Sequence, residues 1–237
     1  IIDKPTPFKE TLLLAESSMF GSSIADYRNN PGRTYVKSLF HAAYRREVFD
    51  KVGFFNEDLV RTEDNEIHYR MREAGYKLCF DPDIISYQYT RSSLKAMLKQ
   101  KYANGFWIGK TSRVCPKCLS IYHFVPFAFV SAIIASLLAI TGMGSVDGLM
   151  DKCTERNGRK RYDRGVIKKL KNIVITLTIV MWALYGTLAC TMAAVSSIKA
   201  GSKRNITNIL LPVLFLMLHI SYGAGTIMGL MDKRGRG

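Results

Sequence analysis

Across 237 residues, 34 Lys+Arg outweigh 19 Asp+Glu, and the length allows one or two domains. Residues 1–118 hold 19 basic and 14 acidic side chains, whereas residues 119–237 hold 15 and 5 around long apolar runs. An excess of charge beside apolar segments points to anionic lipid headgroups, and the absence of an arginine–aromatic interleaving sets nucleic acid aside as a partner.

In chain order, the first half reads as α/β. The chain opens on Ile1 rather than methionine, so it is expected to be part of something longer. "RREVFDKVG" predicts a short helix from about Arg45, ended by Gly53 in the left-handed region. In "RTEDNEIHYRMREAG", Thr62 is the expected N-cap, and Glu63 and Asp64 fall in the first turn of a helix ended by Gly75. Ile67, Met71 and Ala74 recur at i, i+4 and i+7 and mark its buried face. "YKLCF" and "IISYQY" are expected strands on either side of the turn "DPD" at Asp81–Asp83. Residues of about 92–112 predict an amphipathic helix with Leu94, Met97, Leu98, Tyr102 and Phe106 as its apolar stripe. Lys95, Lys99 and Lys101 lie beside that stripe. A basic amphipathic helix ahead of apolar segments suits a membrane interface, and packing as a surface helix of the domain remains open beside it.

Domain one is therefore taken as 1–118 and a membrane module as 119–237, with apolar segments of about 121–143, 173–198 and 209–231. Each exceeds the roughly 20 residues that cross a hydrocarbon core. If all three cross, the nine Lys/Arg of residues 151–172 fall outside, against the positive-inside tendency. A re-entrant or interfacial first segment removes the conflict, leaving only Lys199, Lys203 and Arg204 on the far side. The five cysteines, at 79, 115, 118, 153 and 190, make no secreted disulfide framework, and "CPKC" lacks the second pair that a zinc site needs.

Three acids in four residues pose the central question of this sequence. Acids at a helix N-terminus complement its dipole. However, Asp64 shares the inward face of Ile67 and Met71, where solubility does not require a carboxylate. Such a group can accept a proton from a bound hydroxyl.

The stretch from Tyr44 to Trp107 resembles the C-terminal half of family 2 glycosyltransferases, above all membrane-bound members that build exopolysaccharide. The residues that carry it are Arg45-Arg46, Gly53, "FNEDL", Glu63-Asp64 with Arg70 and Gly75, "DPDIISYQY", Arg91, Gln100, Gly105 and Trp107. "HISYGAG" at His219–Gly225 resembles the last membrane helix of that group. The resemblance implies the C-terminal half of a GT-A domain followed by an all-α transmembrane module, in a bacterial plasma membrane with the catalytic part cytoplasmic. It implies an inverting transfer from a nucleotide-diphosphate sugar to a lipid-linked saccharide or polysaccharide acceptor. Asp64 would be the base and Glu63 its helper, with Arg45, Arg91, Gln100 and Trp107 as acceptor-binding candidates. The helix dipole is expected to hold Asp64 ionised.

Two departures from the family pattern matter. A Gln-x-x-Arg-Trp element is not kept in "QKYANGFW", which favours addition of single sugars over processive polymerisation. No first half with its Asp-x-Asp is found. The divalent cation, Mg or Mn, is then expected through that missing half, on the same chain or a separate one. "DPD" matches the letters of that motif but reads as a structural turn, so no metal ligand is assigned here. The alternative function is a non-catalytic membrane anchoring protein derived from a transferase. His41 and His68 read as hydrogen-bonded or surface residues, and His219 either as functional or as bonded to a neighbouring helix.

Overall fold

A computed structural model describes residues 2, 4–21, 32–87, 89–157, 164–200 and 205–232. Lys203, Arg204, the middle of the basic segment and the tail after Asp232 lie outside the described residues. The elements in chain order are α1 (Pro7–Ser17), β1 (Thr34–Val36), α2 (Arg46–Val52), α3 (Glu63–Glu73), β2 (Leu78–Phe80), α4 (Leu94–Val114), α5 (Val125–Asn157), α6 (Arg164–Lys199) and α7 (Leu211–Met231).

The smaller packing unit is the α/β part. β1 and β2 pair antiparallel, with Tyr35 opposite Cys79. Val36 and Leu78 from the strands meet Val48 of α2 and Ile67 and Met71 of α3 in one apolar core. The 3.6-residue period of α3 thus buries its expected face, although Ala74 is only half-buried. Glycine ends both helices because the chain must turn sharply there: φ is +77° at Gly53 and +89° at Gly75.

One expectation is corrected. "IISYQY" is not a strand: residues 84–87 and 89 are irregular, and Ile84, Ile85, Tyr87 and Tyr89 are exposed. A strand needs a partner for its backbone groups, and among the described residues β2 pairs only with β1. The described part is accordingly mostly helical, with its α/β unit built on a two-stranded sheet.

The larger core is helical. Leu12 and Ala15 of α1, Met97 of α4, Ala189 and Ala193 of α6, and Leu211, Leu214, Phe215 and Leu218 of α7 form it. Helices α1 and α4, from the first half of the chain, therefore pack with the apolar helices of the second. Ser93 starts α4 by accepting from the Ala96 N–H. The buried face of α4 is Met97, Lys101, Gly105, Ile108 and Gly109, while Tyr102 of the expected stripe is 38% exposed. Apolar periodicity found Met97 on this face, with Leu94 and Leu98 packed on the same core, but not the part whose contacts are made through glycine. A Cβ on Gly105 would collide with the Tyr222 carbonyl of α7, and one on Gly225 with the Tyr102 carbonyl of α4. Three helical stretches, Ile121–Ser145, Gly165–Lys199 and Ile206–Met231, are long and apolar enough to cross a membrane. The first continues unbroken through Gly142, without the reversal that a re-entrant segment requires.

Candidate functional site

The turn before α3 sets the site. Thr62 occupies the N-cap position, but with φ +67° it lies in the left-handed region, which a β-branched residue enters at a cost. Its hydroxyl caps nothing in α3. It bonds to the Arg61 carbonyl and to the Thr111 hydroxyl on α4. Arg61 donates to Asn104 Oδ1 at 2.7 Å, also on α4. Two α4 side chains thus clamp the turn from which Glu63 and Asp64 follow.

Asp64 accepts the Asn65 N–H at 2.8 Å. Burial pushes its carboxyl above the ordinary range, the Asn65 N–H opposes this, and the Glu63 charge adds to it. Burial thus acts against the backbone donors expected to favour the ionised form of Asp64, and it is the larger influence. Glu63 Oε2 is buried and, among the described residues, has no hydrogen-bond partner, which is uncommon for a buried polar atom.

Behind the acids lies a polar chain. His68 is fully buried, with Nδ1 3.0 Å from Ser38 Oγ and Nε2 2.7 Å from the Tyr44 hydroxyl. Burial lowers its pKa to about 4, so it is neutral at pH 7. Burial, then the charges of Asp64 and Glu63, raise the Tyr44 phenol to about 12. Arg70 forms a two-pronged pair with Glu66, at 2.7 and 2.8 Å, and donates to the carbonyls of Val52 and Phe54. It fixes α3 to the end of α2.

Of the other candidates, Gln100 and Trp107 stand on the α4 face that bears Asn104 and Thr111, at spacings of 4, 3 and 4. Arg91 Nε donates to Gln100 Oε1 at 3.0 Å. Arg91, Gln100 and Trp107 therefore line the helix that holds the acid turn. Arg45 does not join them; it is exposed and lies 3.6 Å from Glu47. Tyr44, its neighbour, bonds to His68 and feels the charges of both acids. Asp81 accepts the Asp83 N–H at 3.1 Å and lies 3.6 Å from Arg33, so "DPD" is tied up as a turn. Cys118 is buried at the end of α4 with its thiol pushed up to about 12, mainly by burial. It is thus an unreactive packing residue. His219 bonds through Nε2 to the Phe20 carbonyl at 2.7 Å and through Nδ1 to Tyr185 at 3.0 Å, joining α6 to α7. His41 stacks on Phe40.

Sequence reasoning missed Tyr44, Arg61, Asn104 and Thr111. The signal was the 100, 104, 107, 111 spacing of polar and aromatic residues opposite the glycine face of α4. Among the described residues, no group of three His, Cys, Asp or Glu side chains could hold a metal. A groove of about 680 Å³ lies between α1 and the end of α6, away from the acid pair.

The family model for glycosyl transferase family group 2 matches residues 18–228. The chain is similar to the succinoglycan biosynthesis protein ExoA of Rhizobium meliloti (strain 1021), 24% identical over 59% of this chain and 42% of that protein. A dolichyl N-acetyl-alpha-D-glucosaminyl phosphate 3-beta-D-2,3-diacetamido-2,3-dideoxy-beta-D-glucuronosyltransferase of Methanococcus voltae is 30% identical over 38% of this chain and 26% of its own. The O-antigen chain rhamnosyltransferase WbaN of Salmonella anatum is 40% identical over 23% and 18%. The chain spans less than half the length of these curated relatives. No solved structure matches.

Proposed function

The chain belongs to glycosyl transferase family group 2, and on that premise we propose that it serves an inverting transfer of a sugar from a nucleotide diphosphate to an acceptor hydroxyl. The relatives' printed names concern succinoglycan, O-antigen chains and a dolichyl-linked sugar. They support an acceptor that is a lipid-linked saccharide or a growing polysaccharide, and we place the transfer at the cytoplasmic face of the plasma membrane.

The reading rests on one observation above all: a buried, unpartnered Glu63 oxygen beside a largely desolvated Asp64 on a turn held by α4. Asp64 removes the proton of the acceptor hydroxyl. The oxygen then attacks the anomeric carbon from the face opposite the diphosphate. That carbon–oxygen bond forms as the bond to diphosphate breaks, and the configuration inverts. Glu63 accepts a hydrogen bond from the acceptor and keeps its hydroxyl aimed at Asp64. Gln100 and Trp107, on the clamping face of α4, bind the acceptor, and Arg91 orients Gln100. A divalent cation, Mg or Mn, would neutralise the departing diphosphate. The described residues provide no cluster that fits one, so no step here passes through it.

The test uses the full-length protein in membranes with a panel of nucleotide sugars, following product configuration by NMR. The expected product has the anomeric configuration opposite to the donor's, and Asp64→Asn abolishes its formation while donor binding persists. Full turnover by Asp64→Ala would sink the assignment of the base, whereas no transfer by the unsubstituted protein from any donor in the panel would favour a non-catalytic anchoring role.

A further inference from the structure

We propose that α7, although long and apolar enough to cross a membrane, does not cross it. It is the buried core helix of the unit that carries the acid pair, both of its ends face the same aqueous side as β2, and lipid contact falls to α5 and α6.

Burial gives the first argument. Of the apolar window in Ile206–Met231, 39% is buried inside the protein, against 6% for each of the other two stretches. A helix that is apolar on all faces suits a protein interior as well as it suits lipid. Here α4, α5, α6 and α1 pack against it, while Val213, Ile220 and Met228 stay exposed.

The second argument is its direction. Ser221 of α7 donates to the Leu98 carbonyl, Gly225 meets the Tyr102 carbonyl, Gly229 meets the Phe106 carbonyl, and Arg113 donates to the Asp232 carbonyl. The numbers rise together, so α4 runs parallel to α7 over residues 98–113 and 221–232. Whatever depth α7 takes in the membrane, α4 takes too. Yet α4 exposes Lys95 and Lys99 and presents Gln100 and Asn104, which hydrocarbon disfavours.

The third argument is the route of the chain. At the C-terminal end of α7, Lys110 pairs with Asp232 at 3.3 Å, and α3 is tied to α4 nearby. At the N-terminal end, Asn205 and Thr207 bond to the Pro7 carbonyl of α1. From β2 near one end to Leu94 near the other, the chain runs through residues 81–93 without a helix or strand among those described. Such backbone is not stable in lipid, since its N–H and C=O groups would lack partners. The two ends of α7 therefore share one aqueous side. Lys199 at the end of α6 lies on that side as well, beside α1. This displaces the arrangement drawn from charge alone, which put Lys199 on the far side.

The experiment is impermeant maleimide labelling of the full-length protein in sealed vesicles of both orientations. One variant keeps Cys79, an exposed residue of β2, as its single cysteine. Two others, with all native cysteines removed, carry Ile206→Cys or Met231→Cys, at positions 85% and 68% exposed. Size-exclusion profiles in detergent matching the unsubstituted protein establish folding, and labelling after denaturation establishes that each thiol is present. All three thiols are expected to label from the same side. Labelling of residues 206 and 231 from opposite sides overturns the proposal. Failure of either to label from both sides, with labelling restored on denaturation, places it in hydrocarbon and overturns it too. The result is independent of whether the protein transfers sugar.

Discussion

Arg61 Nη1 donates to Asn104 Oδ1 across 2.7 Å, from the turn that begins α3 to the middle of α4. This bond and the Thr62–Thr111 bond beside it connect the acid pair to the helix packed on α7. A hydrogen bond to a charged group contributes about 1.5–3 kcal/mol, and a displaced carboxylate loses rate steeply. Arg61→Ala and Asn104→Ala are each expected to lower kcat by about tenfold, in line with about 1.4 kcal/mol, with smaller effects on KM. Because they break the same bond, the double variant should be no slower than the worse single one. Fully additive losses in a double-mutant cycle would show that the two residues act separately.

For Asp64 the pH dependence has a definite sign. Its folded pKa is raised, chiefly by burial, so a base at this position works only above an elevated pKa. Turnover should therefore rise with pH through a value above the ordinary carboxylate range. The stability linkage runs in the opposite sense. A raised carboxylate binds its proton more tightly in the folded state, so stability is greatest at low pH and is lost as pH rises through the folded pKa. Asp64→Asn removes that loss. The variant is expected to fall in activity by about 10²-fold or more, yet to melt at an equal or higher temperature at pH 8. The gain should vanish towards pH 4. A variant that melts lower than wild type at pH 8 would contradict the burial argument.

The acid turn was legible because charge at a helix start, an inward period and a glycine stop all fall within one short stretch, Thr62 to Gly75. The apolar runs were legible for a similar reason. What escaped was whatever depends on a partner distant in sequence. "IISYQY" has strand composition, but among the described residues no strand pairs with it. Thr62 has cap chemistry, but Thr111 claims its hydroxyl. In α4, Gly105 and Gly109 carry no apolar signal and yet lie so near α7 that an added Cβ would meet its backbone.

His68 offers a stability test on the opposite flank of pH. It bridges Ser38 and Tyr44 in the neutral form, and its pKa falls to about 4. The unfolded chain takes up the proton near pH 6.5 while the folded one does not, so stability declines as pH falls from about 6.5 towards 4. The loss is on the order of 2–3 kcal/mol across that interval. His68→Gln keeps hydrogen-bonding capacity without the titration. Its unfolding free energy should be lower than that of wild type at pH 7.5, with a flatter slope between pH 6.5 and 4. Parallel slopes in chemical denaturation would assign the acid sensitivity elsewhere.

The glycines of α4 and α7 separate close packing from mere helix content. A Cβ at Gly105 would collide with the Tyr222 carbonyl, and one at Gly229 with the Phe106 carbonyl, so either substitution must force the two helix backbones apart. Gly186 of α6 has nothing within 4 Å of the same position, and alanine there meets only open space. Overpacking a tight contact costs about 1–3 kcal/mol or more, whereas glycine to alanine in an open helix gains about 0.5–1 kcal/mol. Gly105→Ala and Gly229→Ala should lower the midpoint of thermal unfolding in detergent by several degrees, and Gly186→Ala should leave it level or raise it. Because α4 holds the acid turn through Asn104 and Thr111, the first two should also lose activity at temperatures where they remain folded. Gly186→Ala should keep it. If Gly105→Ala matched Gly186→Ala in both respects, the α4–α7 contact would be looser than these backbones place it, and the rigid link from the acid turn to α7 would go with it.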